Sequence, residues 1–280
     1  SLFLPPILVV NNDFNVCSDT NTIILSGSIN QVVAGYWTST GSGTFNNYLN
    51  LNTNYLPSVN DSALVNLEFV YHSEPYRNCD AIDDTLVANI IQSPQITINI
   101  PDVCADVFEV QLQANLFNAT GVAWQTAGSG LFTPSAFITN PLYQPGNSDK
   151  TTGNVQISAS TVKENVCSPT QTFATLTIAP LPNANAGTDQ DICPGDTVLL
   201  LGASTNGLAY EWQDNTGLLL ENGFGHSLPV NTVSNFIFQT TDVNGCINTD
   251  TVQINTVVPP VISLPPYECL VNNLTVTASP

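Results

Sequence analysis

Positive charge is what this chain lacks most. Three Lys+Arg (Arg77, Lys150, Lys163) stand against 22 Asp+Glu, a formal net charge of -19. A protein that binds nucleic acid or an anionic membrane surface needs a basic face to neutralise phosphates, and three scattered cations cannot build one. Charged residues of either sign are also few, at 9% of the chain, and methionine is absent. Long helices draw on Glu, Lys, Arg, Ala and Leu, so the shortage argues against them and in favour of strands and turns. No apolar run is long enough to span a bilayer. The opening residues Ser1 to Val10 have neither the basic start nor the small-residue cleavage site of a signal peptide. The expectation is a segment from the middle of a longer secreted chain.

The chemistry of catalysis is equally thin. The two histidines, His72 and His226, stand far apart. His226 adjoins Ser227, but neighbours in a strand point to opposite faces, and a hydroxyl-imidazole pair also needs a carboxylate and an oxyanion site. No segment has a helical pattern that a phosphate-binding glycine loop could precede, and no carboxylate pair stands out from the acidic background. The chain is read as not an enzyme.

What is present is repetition. Cys17 to Cys104 spans 87 residues, Trp37 to Trp124 also 87, Tyr55 to Tyr143 88 and Cys79 to Cys167 88. Between these landmarks Trp37-x-x-x-Gly41-Ser42-Gly43-x-Phe45 recurs as Trp124-x-x-x-Gly128-Ser129-Gly130-x-Phe132, and Tyr55-x-Pro57-x-x-x-Asp61 recurs as Tyr143-x-Pro145-x-x-x-Asp149. A shorter third unit keeps Cys193, Trp212 and Cys246 without the Gly-Ser-Gly segment, and Val258-Pro259-Pro260 leads to Cys269 as Pro5-Pro6 leads to Cys17. The partition is 1–93, 94–180, 181–257, and the start of a fourth repeat at 258–280, with short proline-bearing joints acting as semi-rigid spacers.

Period-two alternation fills each repeat. Phe108, Val110, Leu112 and Ala114 read as one face of a strand, as do Leu67, Phe69 and Tyr71, and Leu86, Ala88 and Ile90, with counterparts in the other repeats. Several short alternating strands separated by Gly, Asn, Asp and Pro turns predict tandem immunoglobulin-like β-sandwiches, all-β, arranged as a rod. Trp37, Trp124 and Trp212, at one place in every repeat, are read as core aromatics in preference to a sugar-stacking platform. Gly41-Ser42-Gly43 is read as a turn or bulge, and Asn244-Gly245 as a tight hairpin signal.

Seven cysteines in a chain of this character predict a disulfide framework. The repeat selects the pairs Cys17 with Cys79, Cys104 with Cys167, and Cys193 with Cys246, each tying two ends of its own sandwich and leaving Cys269 without a partner. Zinc is set aside for want of Cys-x-x-Cys or clustered histidine spacing. Two aspartate groups, Asp80, Asp83 and Asp84, and Asp189, Asp191 and Asp196, are candidate calcium ligands at the repeat ends. Turn formation is the preferred reading, since no EF-hand loop is complete.

The Trp-x-x-x-Gly-Ser-Gly-x-Phe and Tyr-x-Pro-x-x-x-Asp segments resemble the repeats of the giant gliding-motility adhesins of Bacteroidota. The third repeat, from Ala186-Gly187-Thr188-Asp189 through Tyr210-x-Trp212 to Asn244-Gly245-Cys246, is similar to the PKD-like modules of the same proteins. The resemblance implies export by the type IX secretion system, an extracellular location at the cell surface, and a filament moved by the gliding machinery against a substratum or surface polysaccharide. Asp61-Ser62-Ala63, Asp84-Thr85-Leu86, Asp196-Thr197-Val198 and Asp250-Thr251-Val252 sit at expected turn-to-strand junctions and also resemble the O-glycosylation acceptor of that phylum, which makes Ser62, Thr85, Thr197 and Thr251 candidate acceptors. The rival function is a spacer or carbohydrate-binding module of a large secreted hydrolase. An exposed aromatic row would favour it, and tryptophans buried in every core would favour the stalk.

Overall fold

The computed structural model describes residues 6–31, 34–76, 79–258, 260–263 and 277–279. Arg77, Pro259, Cys269 and most of the expected fourth repeat lie outside the described residues. The chain divides into two compact units. The first comprises Ser1–Pro101 with Phe108–Leu176, and the second Asp102–Val107 with Thr177–Pro280.

In the first unit the N-terminal strands are β1 (Ile7–Val10), β2 (Phe14–Cys17), β3 (Ile23–Leu25), β4 (Gly27–Asn30), β5 (Gly35–Ser39), β6 (Thr44–Phe45), β7 (Thr53–Leu56), β8 (Asn66–Ser73) and β9 (Asp83–Ile91). One sheet has the order β2-β9-β8-β5; the facing layer is β3-β7-β6 with the pair β1-β4. The order is built by period two. On β8, Leu67, Phe69 and Tyr71 point inward, and on β9 Leu86 and Ala88 do the same, while their neighbours face water. They pack with Trp37, Tyr55, Ile23 and Leu25 into one apolar cluster. Aromatic edges meet faces within it: Tyr55 and Phe69 centroids lie 4.9 Å apart at 75°.

Next come β10 (Gln95–Asn99), β11 (Val103–Cys104), β12 (Val110–Gln111), β13 (Gln113–Phe117), β14 (Val122–Thr126), β15 (Leu131–Thr133), β16 (Leu142–Gln144), β17 (Asn154–Thr161) and β18 (Gln171–Ala179). The sheet orders repeat the first set: β11-β18-β17-β14 against β12-β16-β15 and β10-β13. Val110, Leu112 and Ala114 are buried as the alternation predicts, but Phe108 is 73% exposed. It precedes β12, so the strand's pleat does not turn it inward. A short helix α1 (Asn147–Thr152), not expected from the sequence, closes the loop after β16 and ends at Gly153 in the left-handed region, φ 79°.

In the second unit, β19 (Gln190–Ile192), β21 (Ala209–Asp214), β22 (Leu219–Asn222), β24 (Ser234–Thr241) and β25 (Ile247–Thr256) form a sheet of order β19-β25-β24-β21-β22, faced by β20 (Thr197–Leu201) and β23 (Gly225–Pro229). Its core gathers Val198, Leu200, Trp212, Phe236, Phe238, Val252 and Ile254. β26 (Val261–Ser263) and β27 (Thr277–Ser279) pair antiparallel. The architecture is all-β, a tandem of immunoglobulin-like sandwiches.

One topological feature decides the disulfides. The opening strand of each sandwich runs parallel to its closing strand: Cys17 lies opposite Ile91, Cys104 opposite Ala179, and Ile192 opposite Thr256. The first cysteine of a repeat therefore sits at the far end of the closing strand. The second cysteine sits before its near end, since Cys79 precedes β9, Cys167 precedes β18 and Cys246 precedes β25. β9 has nine residues, a rise of about 27 Å at about 3.3 Å each, whereas a disulfide needs Cα atoms within about 7 Å. Pairing within a repeat is excluded by this geometry. The expected bridges Cys17–Cys79, Cys104–Cys167 and Cys193–Cys246 are replaced by Cys17–Cys167 and Cys104–Cys246, with Cys79 and Cys193 as free thiols.

Candidate functional site: the cysteine-bearing ends of the sandwiches

Each bridge is held by the backbone around it. In the first unit, Ser18 N donates to Ile91 O at 2.8 Å, and Ser93 N donates to Ser18 Oγ at 2.9 Å, fixing the chain that leaves β9 beside Cys17. Thr170, three residues past Cys167, donates its hydroxyl to Pro94 O at 2.7 Å, and Asn118 Nδ2 donates to Ser93 O at 3.2 Å. In the second unit the same pattern returns. Ala105 N donates to Ala179 O at 2.9 Å, and Asn248, two residues past Cys246, donates its side-chain amide to Pro182 O at 2.8 Å. The turn carrying Cys246 is set by Asp242, whose Oδ1 accepts from Asn244 N and Cys246 N, both at 2.8 Å, and by Gly245 at φ 81°. The Asn244-Gly245 signal thus belongs to the β24–β25 hairpin, where Thr241 faces Ile247.

The recurring motifs around the bridges are structural. Asp61 is 1% exposed. Its carboxylate accepts from Tyr55 Oη at 2.7 Å, Ser42 N at 2.7 Å, Ser58 N at 2.9 Å and Gly43 N at 3.0 Å. In the second copy Asp149 accepts from Tyr143 Oη at 2.7 Å, Ser129 N at 2.7 Å and Gly146 N at 3.1 Å. Burial alone would raise the Asp61 pKa, but the donors from Ser42, Ser58 and Tyr55 outweigh it and bring it down to about 2. Asp149 is lowered by the same balance. Tyr143, buried and facing that carboxylate, is pushed up to about 12. Gly41 and Gly43 are required by close approach: a Cβ at either would strike the Tyr55 side chain. The Gly-Ser-Gly segment is a loop wrapped over a buried carboxylate. The sequence spacing Tyr-x-Pro-x-x-x-Asp carried this signal without revealing that its two ends meet.

Trp37, Trp124 and Trp212 are 2%, 3% and 0% exposed, and each indole N–H donates to a loop carbonyl: Asn50 and Leu51, Ile138, and Phe224 respectively. His72 joins a row the sequence reading missed. Its Nδ1 lies 3.0 Å from Asp83 Oδ2 and its Nε2 2.9 Å from Thr38 Oγ1, because β5, β8 and β9 are adjacent and place Tyr36, His72 and Asp83 in register. Cross-strand pairing was the available signal. Catalytic triads bury the carboxylate, whereas the Asp83 side chain is 54% exposed. His226 and Ser227 lie on β23, half-buried and exposed respectively.

Of the aspartates set out as calcium candidates, Asp84, Asp189 and Asp191 accept hydrogen bonds from neighbouring segments of their sandwiches. Asp84 Oδ2 accepts from Val10 N at 2.8 Å, and the repeat-equivalent Asp250 Oδ2 accepts from Ala186 N at 2.8 Å. Asp13 Oδ1 accepts from Val87 N and Asp189 Oδ1 from Gln253 N, each at 2.8 Å. Asp191 Oδ1 accepts from Asn255 Nδ2 at 3.0 Å, and Asp80 is exposed before β9. Among the described residues no group of three His, Cys, Asp or Glu side chains is placed to hold a metal ion. Asp84-Thr85 and Asp250-Thr251 lie inside β9 and β25, not at turn-to-strand junctions as expected, because these closing strands pair antiparallel with β8 and β24 from their first residues onward. Thr85, Thr197 and Thr251 are exposed, and Ser62 donates its hydroxyl to Val59 O at 2.7 Å.

No family model matches this chain, and no curated protein matches it in sequence. Among solved structures, the I67–I69 fragment from titin aligns with a TM-score of 0.43 at 10% identity, covering 92% of this chain and 100% of its own. Domains 1–5 of the Sidekick-1 immunoglobulin region align at 0.36 and 12% identity over 91% of this chain, which spans 60% of that fragment. A 1.5-MDa bacterial ice-binding adhesin, described for its host cell surface retention, aligns at 0.36 and 14% identity over 91% of this chain and 99% of its own.

Proposed function

We propose that this chain is a load-bearing repeat segment of an extracellular, cell-surface filament or stalk. The observation that carries the reading is the overlap of the two bridges. From Cys17 to Cys246 the chain runs 229 residues, but through the two bridges only the 63 residues between Cys104 and Cys167 remain extensible. Tension is then borne by a covalent bypass, and the fully drawn length between Cys17 and Cys246 falls from about 800 Å to about 220 Å at about 3.5 Å per residue. Bridges of this kind persist in oxidising, extracellular surroundings. Among the described residues no helix is long and apolar enough to cross a membrane. Tryptophans buried in every repeat support the stalk over a sugar-stacking surface. The motif resemblance supports a gliding-motility adhesin exported by the type IX route, with neighbouring repeats as its first partners and a surface polysaccharide or substratum as its target. Glycans on Thr85, Thr197 and Thr251 fit their exposure.

The test is single-molecule pulling on the ends of the chain with and without a thiol reductant. The reading expects the final unfolded length to grow by about 580 Å on reduction. An equal length under both conditions would sink it.

A further inference from the structure

The two observed bridges obey one rule. The first cysteine of one repeat takes the second cysteine of the next: Cys17 with Cys167, and Cys104 with Cys246. The rule leaves two thiols whose positions match bonded ones. Cys193 follows β19 directly, where Ile192 lies opposite Thr256 and Val257 N donates to Ile192 O at 2.8 Å. Cys17 and Cys104 occupy this station at the ends of β2 and β11, with Ser18 N and Ala105 N bonded to the closing strand. Cys79 lies in the loop between β8 and β9, the station that Cys167 fills between β17 and β18 and Cys246 between β24 and β25. Both thiols are half-buried, so part of each stays open to a partner.

We propose that Cys193 and Cys79 are the covalent docking points for adjoining repeats of the same kind. Cys193 receives the second cysteine of a following repeat, and Cys79 the first cysteine of a preceding one. A second copy of this chain offers both, so Cys193 of one copy is matched to Cys79 of another. The inference rests on the stalk reading and supplies its rule of assembly. Bond formation needs a disulfide oxidant of the glutathione class. One thiolate attacks glutathione disulfide and releases one glutathione thiolate. The second protein thiolate then displaces the attached glutathione, so the pair loses two electrons and two protons and two reduced glutathiones form.

The test is a complementation between two variants, both carrying Cys269→Ser. Cys79→Ser keeps only the Cys193 thiol, and Cys193→Ser only the Cys79 thiol. Each is incubated alone, and the two together, in a glutathione redox buffer, then run without reductant and mapped by mass spectrometry. The mixture is expected to give a heterodimer linked 193–79 in at least tenfold excess over either homodimer. Homodimers in equal yield, or no heterodimer, would overturn the proposal. The pulling experiment depends only on the two bridges within one chain, so failure here leaves that reading standing.

Discussion

Asp61 shows how a single residue organises a sandwich end. Five donors converge on its carboxylate, three of them backbone N–H groups of loop residues. Its pKa of about 2 lies below the ordinary 3.8, so between those values the unfolded chain binds more protons than the folded one. The contribution is fully present above about pH 4 and is lost as the pH falls through 2, amounting to about 2 kcal/mol. Thermal unfolding followed from pH 5 to 2 should show this loss, and Asp61→Asn should lower stability at pH 7 and flatten the acid slope. An unchanged slope in the variant would assign the acid sensitivity elsewhere. Tyr55→Phe removes one donor and should cost about 1 kcal/mol, read as a shift in the denaturant midpoint. The residues of this network stood out in the sequence as a repeated pattern, yet their roles did not. A motif records which positions recur, whereas the meeting of Ser42, Tyr55 and Asp61 depends on a loop folding back over nineteen residues.

At the scale of the element, the closing strand is the organising piece. It pairs with the opening strand in parallel, is stitched to the residue just ahead of that strand, Asp13 in the first sandwich and Asp189 in the third, holds Val10 and Ala186 further upstream through Asp84 and Asp250, and separates the two cysteines of its own repeat. Alternation made its inward residues legible: Leu86 and Ala88, Leu176 and Ile178, Val252 and Ile254 are all buried. It could not reveal that the partner strand runs parallel, and that direction alone moves Cys17 away from Cys79. The consequence is open to mutation. Replacing both Cys17 and Cys167 with Ser should destabilise the first unit, by up to about 5 kcal/mol for a loop of this length in the chain-entropy model. Cys79→Ser should leave the unfolding temperature within about a degree, as a surface change outside any bridge. A large loss with Cys79→Ser alone would indicate that it, too, is bonded.

For the whole molecule, the all-β class follows from period-two alternation between turn residues, and the sheet order β2-β9-β8-β5 recurs as β11-β18-β17-β14. What spacing left hidden is the linkage between repeats, because laying a chain on itself shows equivalent positions and not the end of the sandwich each one occupies. With a net charge of -19, self-repulsion opposes bundling at low salt, and under the proposed stalk function covalent stagger is the means of holding successive repeats against tension. The central claim is that stagger. Non-reducing peptide mapping of the native protein tests it directly. The account predicts peptides linked 17–167 and 104–246, with Cys79 and Cys193 outside both. Linkages 17–79, 104–167 or 193–246 would contradict it.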